Sequence, residues 1–219
     1  MAQIFSRASN THARVIIGSV IVLVIALGCT TYAVFWTPYT TYVGVPFSQP
    51  VPFSHKHHVG DDGIDCRYCH TSVEKSSFAG IPSTQICMTC HSQLWNQAPL
   101  LAPVRESFAT NVPIQWNRVH DLPDFAYFDH SIHISKGVGC STCHGELDKM
   151  PLTWKVNTLY MKWCLECHRA PENYVRPQSE IYNLHWQPPP NQKEQGRLLV
   201  RQNQIDVSGR LTDCSTCHR

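Results

Sequence analysis

Cys66-Arg67-Tyr68-Cys69-His70 is a pentapeptide whose form returns four more times in this chain of 219 residues. Cys87-Met88-Thr89-Cys90-His91, Cys140-Ser141-Thr142-Cys143-His144, Cys164-Leu165-Glu166-Cys167-His168 and Cys214-Ser215-Thr216-Cys217-His218 follow it in order. Ten of the 11 cysteines therefore lie in C-x-x-C pairs, and a histidine follows every pair directly. Two thiols three positions apart can each form a thioether to one vinyl group of the same haem. The next residue then brings its imidazole beneath the iron as proximal ligand. The spacing predicts five covalently bound haem c groups. Their thioethers are Cys66, Cys69, Cys87, Cys90, Cys140, Cys143, Cys164, Cys167, Cys214 and Cys217, and their proximal ligands are His70, His91, His144, His168 and His218.

Cysteine pairs also build zinc sites and thioredoxin-like redox centres, and many cysteines in a secreted chain form disulfides. Zinc sites usually join two such pairs, whereas five is odd, and none of these chemistries requires a histidine after each pair. The net charge of +2 is near neutral and does not suggest a nucleic-acid partner, and the charged fraction is low at 16%. Fifteen prolines point to a chain rich in loops.

A second pattern repeats as well. Phe53-Ser54-His55-Lys56-His57-His58-Val59 precedes the first two motifs, and Phe128-Asp129-His130-Ser131-Ile132-His133-Ile134 precedes the third and fourth. Both read F-x-H-x-x-H-(V/I). Within each unit the first cysteines of the two motifs are similarly spaced, 21 positions apart in one and 24 in the other. The pattern predicts two tandem two-haem modules and a C-terminal fifth haem. Histidines three apart sit on neighbouring sides of a helical turn, so each can meet a different iron. His55, His58, His130 and His133 are the expected distal ligands, and His57 has no counterpart in the second unit. His120 is the first candidate for the remaining haem and His185 the second. Met150 and Met161 are alternatives, because a thioether also binds haem iron.

Residues 15–36 (VIIGSVIVLVIALGCTTYAVFW) form an apolar run. As a helix its 22 residues span about 33 Å, enough for a bilayer core. Arg7 and Arg14 precede it, and Tyr32, Phe35, Trp36, Tyr39 and Tyr42 cluster at its far end. This predicts an uncleaved anchor in the cell's inner (plasma) membrane, N-terminus cytoplasmic and haem domain on the periplasmic side. A cleaved signal peptide fits the length less well, and Ala26-Leu27-Gly28-Cys29 matches a lipidation box with its leucine one position out. The expected layout is a cytoplasmic N-terminus (1–14), a transmembrane anchor (15–36) and a Pro-rich stalk (37–52). A two-haem module (53–91), connecting loops (92–127), a second two-haem module (128–168) and a C-terminal segment with the fifth haem (169–219) follow. The fold class expected is a multihaem cytochrome c: loops and short α-helices packed around the haems, one N-terminal transmembrane helix and little β. The best soluble helix candidate is Asn157–His168.

Three stretches resemble a known family. They are FSHKHHV (53–59), VHDLPDFAYFDHSIH (119–133) and MKWCLECHR (161–169). With one anchor and five motifs, residues 10–219 are similar to the pentahaem cytochrome c subunit of bacterial alternative complex III. The resemblance implies an electron-transfer subunit of a quinol:electron-acceptor oxidoreductase. Its implied partners are an iron–sulfur subunit, polytopic quinol-binding membrane subunits, and a monohaem cytochrome c or other carrier. It implies no substrate site on this chain. Arg219 directly follows His218, so a partner is expected to complete the pocket of the last haem or to leave that haem edge open as the exit. Two other functions are weighed beside this one. A multihaem reductase of a small oxyanion needs an iron with an open distal position, whereas here distal candidates are plentiful. A stand-alone membrane quinol dehydrogenase would bind quinol itself, with Lys56 or Asp61 as polar contacts.

Overall fold

The computed structural model describes residues 4–6 and 8–218. It divides into two compact units, residues 1–42 and 43–219. In the first, α1 (Ser9–Trp36) is a single 28-residue helix, followed by the short α2 (Pro38–Thr41). No side chain of α1 is buried, and among the described residues it lies in the one helix long and apolar enough to cross a membrane. It starts six residues ahead of the apolar run. Thr31 and Thr37 hydroxyls donate to carbonyls four residues back, so the polar groups near its end are satisfied along the helix itself.

The second unit is built of short elements, as expected, and among the described residues it contains no strand, only isolated bridges. Its helices are α3 (Cys66–Cys69), α4 (Thr84–His91), α5 (Ala102–Thr110), α6 (His130–Ser135), α7 (Cys140–His144), α8 (Met161–Arg169), α9 (Gln192–Gln202) and α10 (Cys214–Cys217). A π-helical turn spans Lys56–Asp61. Each C-x-x-C-H motif thus lies on a helical turn. Asp65 starts α3 by accepting from the Arg67 amide, and Asp129 starts α6 by accepting from the amides of Ser131 and Ile132.

Two features differ from the sequence expectation. Residues 43–52 are not a free stalk. Val43 bridges to Lys155, the Gly44 amide donates to the Lys155 carbonyl, and Gln49 and Asn117 exchange hydrogen bonds. Val51 is buried at 4% exposure. The expected helix 157–168 begins only at Met161, because Leu159 sits at φ +58°, a left-handed conformation that a helix cannot continue through.

The two repeats interlock. The Lys56 amide of the first donates to the Met150 carbonyl of the second, and the His130 and Ser131 amides of the second donate to Ser77 and Ser76 of the first. The π-turn lies so close to residues 147–149 that a methyl group on Gly60 would overlap the Asp148 carbonyl. Gly196 plays the same part in α9, which lies directly on the Glu172 carbonyl. The apolar core is small: among the described residues Val51, Val73, Val104, Met150, Val175, Ile181, Leu184 and Val200 are the buried hydrophobic side chains. Ordinary burial of that extent stabilises a domain of this length poorly.

Candidate haem-binding site

The F-x-H-x-x-H units have the same geometry in both copies. Phe53 stacks on His58 (centroids 4.5 Å apart) and meets His55 edge-on at 5.0 Å. Phe128 stacks on His133 at 4.4 Å and meets His130 edge-on at 4.8 Å. Each phenylalanine is a wedge that fixes both imidazole planes. His58 Nδ1 bonds to the Ser54 carbonyl and His133 Nδ1 to the Asp129 carbonyl, equivalent positions of the repeat. The first histidine of each unit reaches into the other: His55 Nδ1 bonds to Thr153 Oγ1, and His130 Nδ1 to the Ser77 carbonyl. The wedge role of Phe53 and Phe128 was not assigned from sequence, although their place in the repeat was the available signal.

The motif histidines follow one rule. His70, His91, His168 and His218 each place Nδ1 on a main-chain carbonyl, of Gly80, Leu94, Leu211 and Phe125. A carbonyl only accepts, so Nδ1 carries the proton and the lone pair of a neutral ring is left on Nε2. That tautomer is the one a metal-ligating histidine needs. His144 is the exception, with Nδ1 at 3.3 Å from Nε2 of His120. Burial also favours the neutral, ligand-competent form. It holds His55 and His120 down to about 4 and His144 well below its ordinary value.

Ring separations test whether an iron fits. An imidazole nitrogen binds a first-row metal at about 2.0 Å and lies about 1.15 Å from its ring centroid. Two imidazoles on opposite sides of one ion are then roughly 6.3 Å apart, centroid to centroid. His58 and His91 are 6.1 Å apart, His133 and His168 6.1 Å, and His130 and His144 6.4 Å. In each case a repeat histidine faces a motif histidine. After burial, the nearest electrostatic influence on His55 comes from His70.

The cysteines are consistent with the same group. None of the 11 forms a disulfide. Burial pushes the Cys143 thiol up to about 12 and Cys167 up to about 11, so neither is poised as a thiolate. Among the described residues no three His, Cys, Asp or Glu side chains converge as ligands of one metal ion. Ten free thiols in C-x-x-C-H pairs fit thioether attachment. Arg176, 4% exposed, braces the third motif: it donates to Ser141 Oγ, Thr142 Oγ1 and the Asn183 carbonyl, and stacks on Trp186.

The remaining distal candidates have other neighbours. Both ring nitrogens of His185 meet carboxylates, Nδ1 that of Glu146 at 3.1 Å and Nε2 that of Asp148 at 2.7 Å. Met150 is buried at 2% with its methyl end against Gly145, whereas Met161 stands 57% exposed at the start of α8. His57 is exposed beside Asp61 and Asp62.

A family model described as "Cytochrome c7 and related cytochrome c" matches residues 126–219, which include the second F-x-H-x-x-H unit and the last three motifs. The menaquinone reductase, multiheme cytochrome c subunit, of Nitratidesulfovibrio vulgaris is 34% identical over 148 residues, covering 58% of this chain and 70% of that protein. With the repeated motifs, the paired imidazoles and this kinship together, the chain belongs to the multihaem cytochromes c that include that subunit, and it is an electron-transfer subunit carrying covalently attached haem c.

Proposed function

We propose that this chain holds five haems c and relays electrons between a quinone-handling membrane complex and a carrier on the outer face of the membrane. The observation that carries the reading is the pairing of repeat and motif histidines at 6.1–6.4 Å with Nδ1 already engaged. His58 and His91 hold one iron, His130 and His144 another, His133 and His168 a third, and His55 with His70 a fourth. Met161 is the candidate second ligand for the iron on His218, being exposed at the start of α8, the helix whose His168 bonds to the Leu211 carbonyl just ahead of the last motif. Bound haem c supplies a one-electron ferric/ferrous couple. The protein fixes imidazole planes with Phe53 and Phe128, sets ligand basicity through the Nδ1 acceptors, and keeps the cofactors on one interlocked scaffold. The apolar α1 anchors the chain with its N-terminus cytoplasmic.

The partners proposed are an iron–sulfur subunit, polytopic quinone-binding subunits, and a monohaem cytochrome c or comparable carrier. Two directions of flow are supported by different observations. The stretches 53–59, 119–133 and 161–169 support an assembly like alternative complex III, in which quinol is oxidised. The relative from N. vulgaris is a subunit of a menaquinone reductase and supports the reverse. The test is purification of the chain from native membranes with its associated subunits, assayed both ways. Quinol-dependent reduction of an added cytochrome supports the first direction. Menaquinone reduction by a reduced cytochrome supports the second. Binding of cyanide or nitrite to a high-spin haem would instead support an oxyanion reductase.

A further inference from the structure

We propose that His120 is a positioning residue for the third haem, accepting the Nδ1 proton of His144, and is not itself an iron ligand. The inference rests on the ligand reading above, in which His144 and His130 hold that iron. Two imidazoles approach His144, and their separations divide the labour. His130 lies parallel to it at 10° and 6.4 Å, the spacing that accommodates an ion between the rings. His120 meets it at 71° and 4.3 Å, too close for any metal to lie between them. The contact is made by Nε2 of His120 on Nδ1 of His144, at 3.3 Å. The other four motif histidines present this same nitrogen to a main-chain carbonyl. His120 therefore stands where the others have backbone.

The substitution has a chemical consequence. An imidazole nitrogen is a stronger base than an amide carbonyl, so it draws the Nδ1 proton further and makes His144 a more strongly donating ligand. Greater donation stabilises ferric over ferrous iron. The third haem is then held at a more negative potential than a carbonyl acceptor would set. The arrangement is also adjustable, since a side chain can be changed where a backbone oxygen cannot.

The test uses the full-length protein purified from membranes with its partners. His120→Gln keeps a hydrogen-bond acceptor and removes any iron-binding nitrogen. His120→Phe removes both. The readouts are haem content by pyridine haemochrome, the low-spin ferric signals in electron paramagnetic resonance, and a redox titration resolved by haem. A positioning role predicts an unchanged haem count and no high-spin signal in His120→Gln. It predicts a positive shift of one haem's potential in His120→Phe, partly restored in His120→Gln. His130→Ala in parallel creates the high-spin haem. A high-spin, cyanide-binding haem in His120→Gln overturns the proposal by making His120 a ligand, and so does a potential unmoved in both variants. If His120→Phe fails to assemble, His120→Gln alone decides. Failure of the underlying ligand reading looks different: His130→Ala and His144→Ala then leave all low-spin signals in place.

Discussion

At the scale of single residues, the site depends on where each imidazole sends its two nitrogens. A histidine whose Nδ1 donates to a carbonyl has Nε2 left for a metal, whereas His185 has both nitrogens turned to the carboxylates of Glu146 and Asp148. His185→Gln is accordingly expected to leave haem content and the visible spectrum unchanged. Its ion pairs are about half exposed on the histidine side, so the stability loss is about 1 kcal/mol or less in chemical denaturation. Phe128→Ala removes the wedge that holds His130 and His133. The side chain is half-buried, so a cost of about 2 kcal/mol is expected, below the full-burial range. Resonance spectra should then broaden for the haems on His144 and His168 and remain sharp for the one on His91.

What was legible in the sequence follows the same divide between near and far. The motif cysteines and histidines are set by contacts within five residues, so spacing alone identifies them. The histidines of the repeat could be singled out because F-x-H-x-x-H occurs twice. The contact of His120 with His144 was not legible, since it joins residues 24 positions apart at a 4.3 Å separation that no local pattern encodes.

At the scale of elements, short helices need strong starts, and α6 shows how one residue supplies several. The Asp129 carboxylate accepts from the Ser131 and Ile132 amides and the Ser131 hydroxyl, while its carbonyl holds His133 Nδ1. Asp129→Ala removes the cap and is expected to cost about 1 kcal/mol in unfolding experiments, with Asp129→Ser intermediate. The Ser131 hydroxyl, aided by the amides, holds the carboxyl below its ordinary value of 3.8. A depressed folded pKa means that the cap's pH-linked contribution is complete above 3.8 and fades as pH falls through the lower folded value. In the Asp129→Ala variant the acid limb of the stability curve should flatten in that window. The shortened α8 belongs here too: Leu159 at φ +58° stops the helix, and the apolar-polar pattern of residues 157–160 carries no sign of it. Gly60→Ala places a methyl on the Asp148 carbonyl and is expected to loosen the π-turn from the second repeat, seen as faster amide exchange at Lys56, whose partner is Met150.

At the scale of the whole molecule, the eight buried hydrophobic side chains among the described residues are a slender core for a unit of this length. The stretch expected to be a stalk joins that unit through Lys155 and Asn117, which sequence distance concealed. Exposed aromatic and aliphatic side chains such as Phe78, Trp95 and Phe125 are suited to lie against porphyrin faces. Chains expressed without haem attachment are therefore expected to be degraded or molten, shown by loss of near-ultraviolet dichroism with retained helix signal. If α1 anchors the chain as proposed, alkaline carbonate washing leaves it in the membrane pellet, and protease added on the outer face removes residues 43–219.

The most direct measurement is intact-mass analysis of the purified, denatured chain, followed by peptide mapping. The expected mass exceeds that of the polypeptide by five haem groups, with thioethers on Cys66 and Cys69, Cys87 and Cys90, Cys140 and Cys143, Cys164 and Cys167, and Cys214 and Cys217, and Cys29 outside the set. A chain recovered with those sulfurs free, joined as disulfides or bound to zinc would contradict the account.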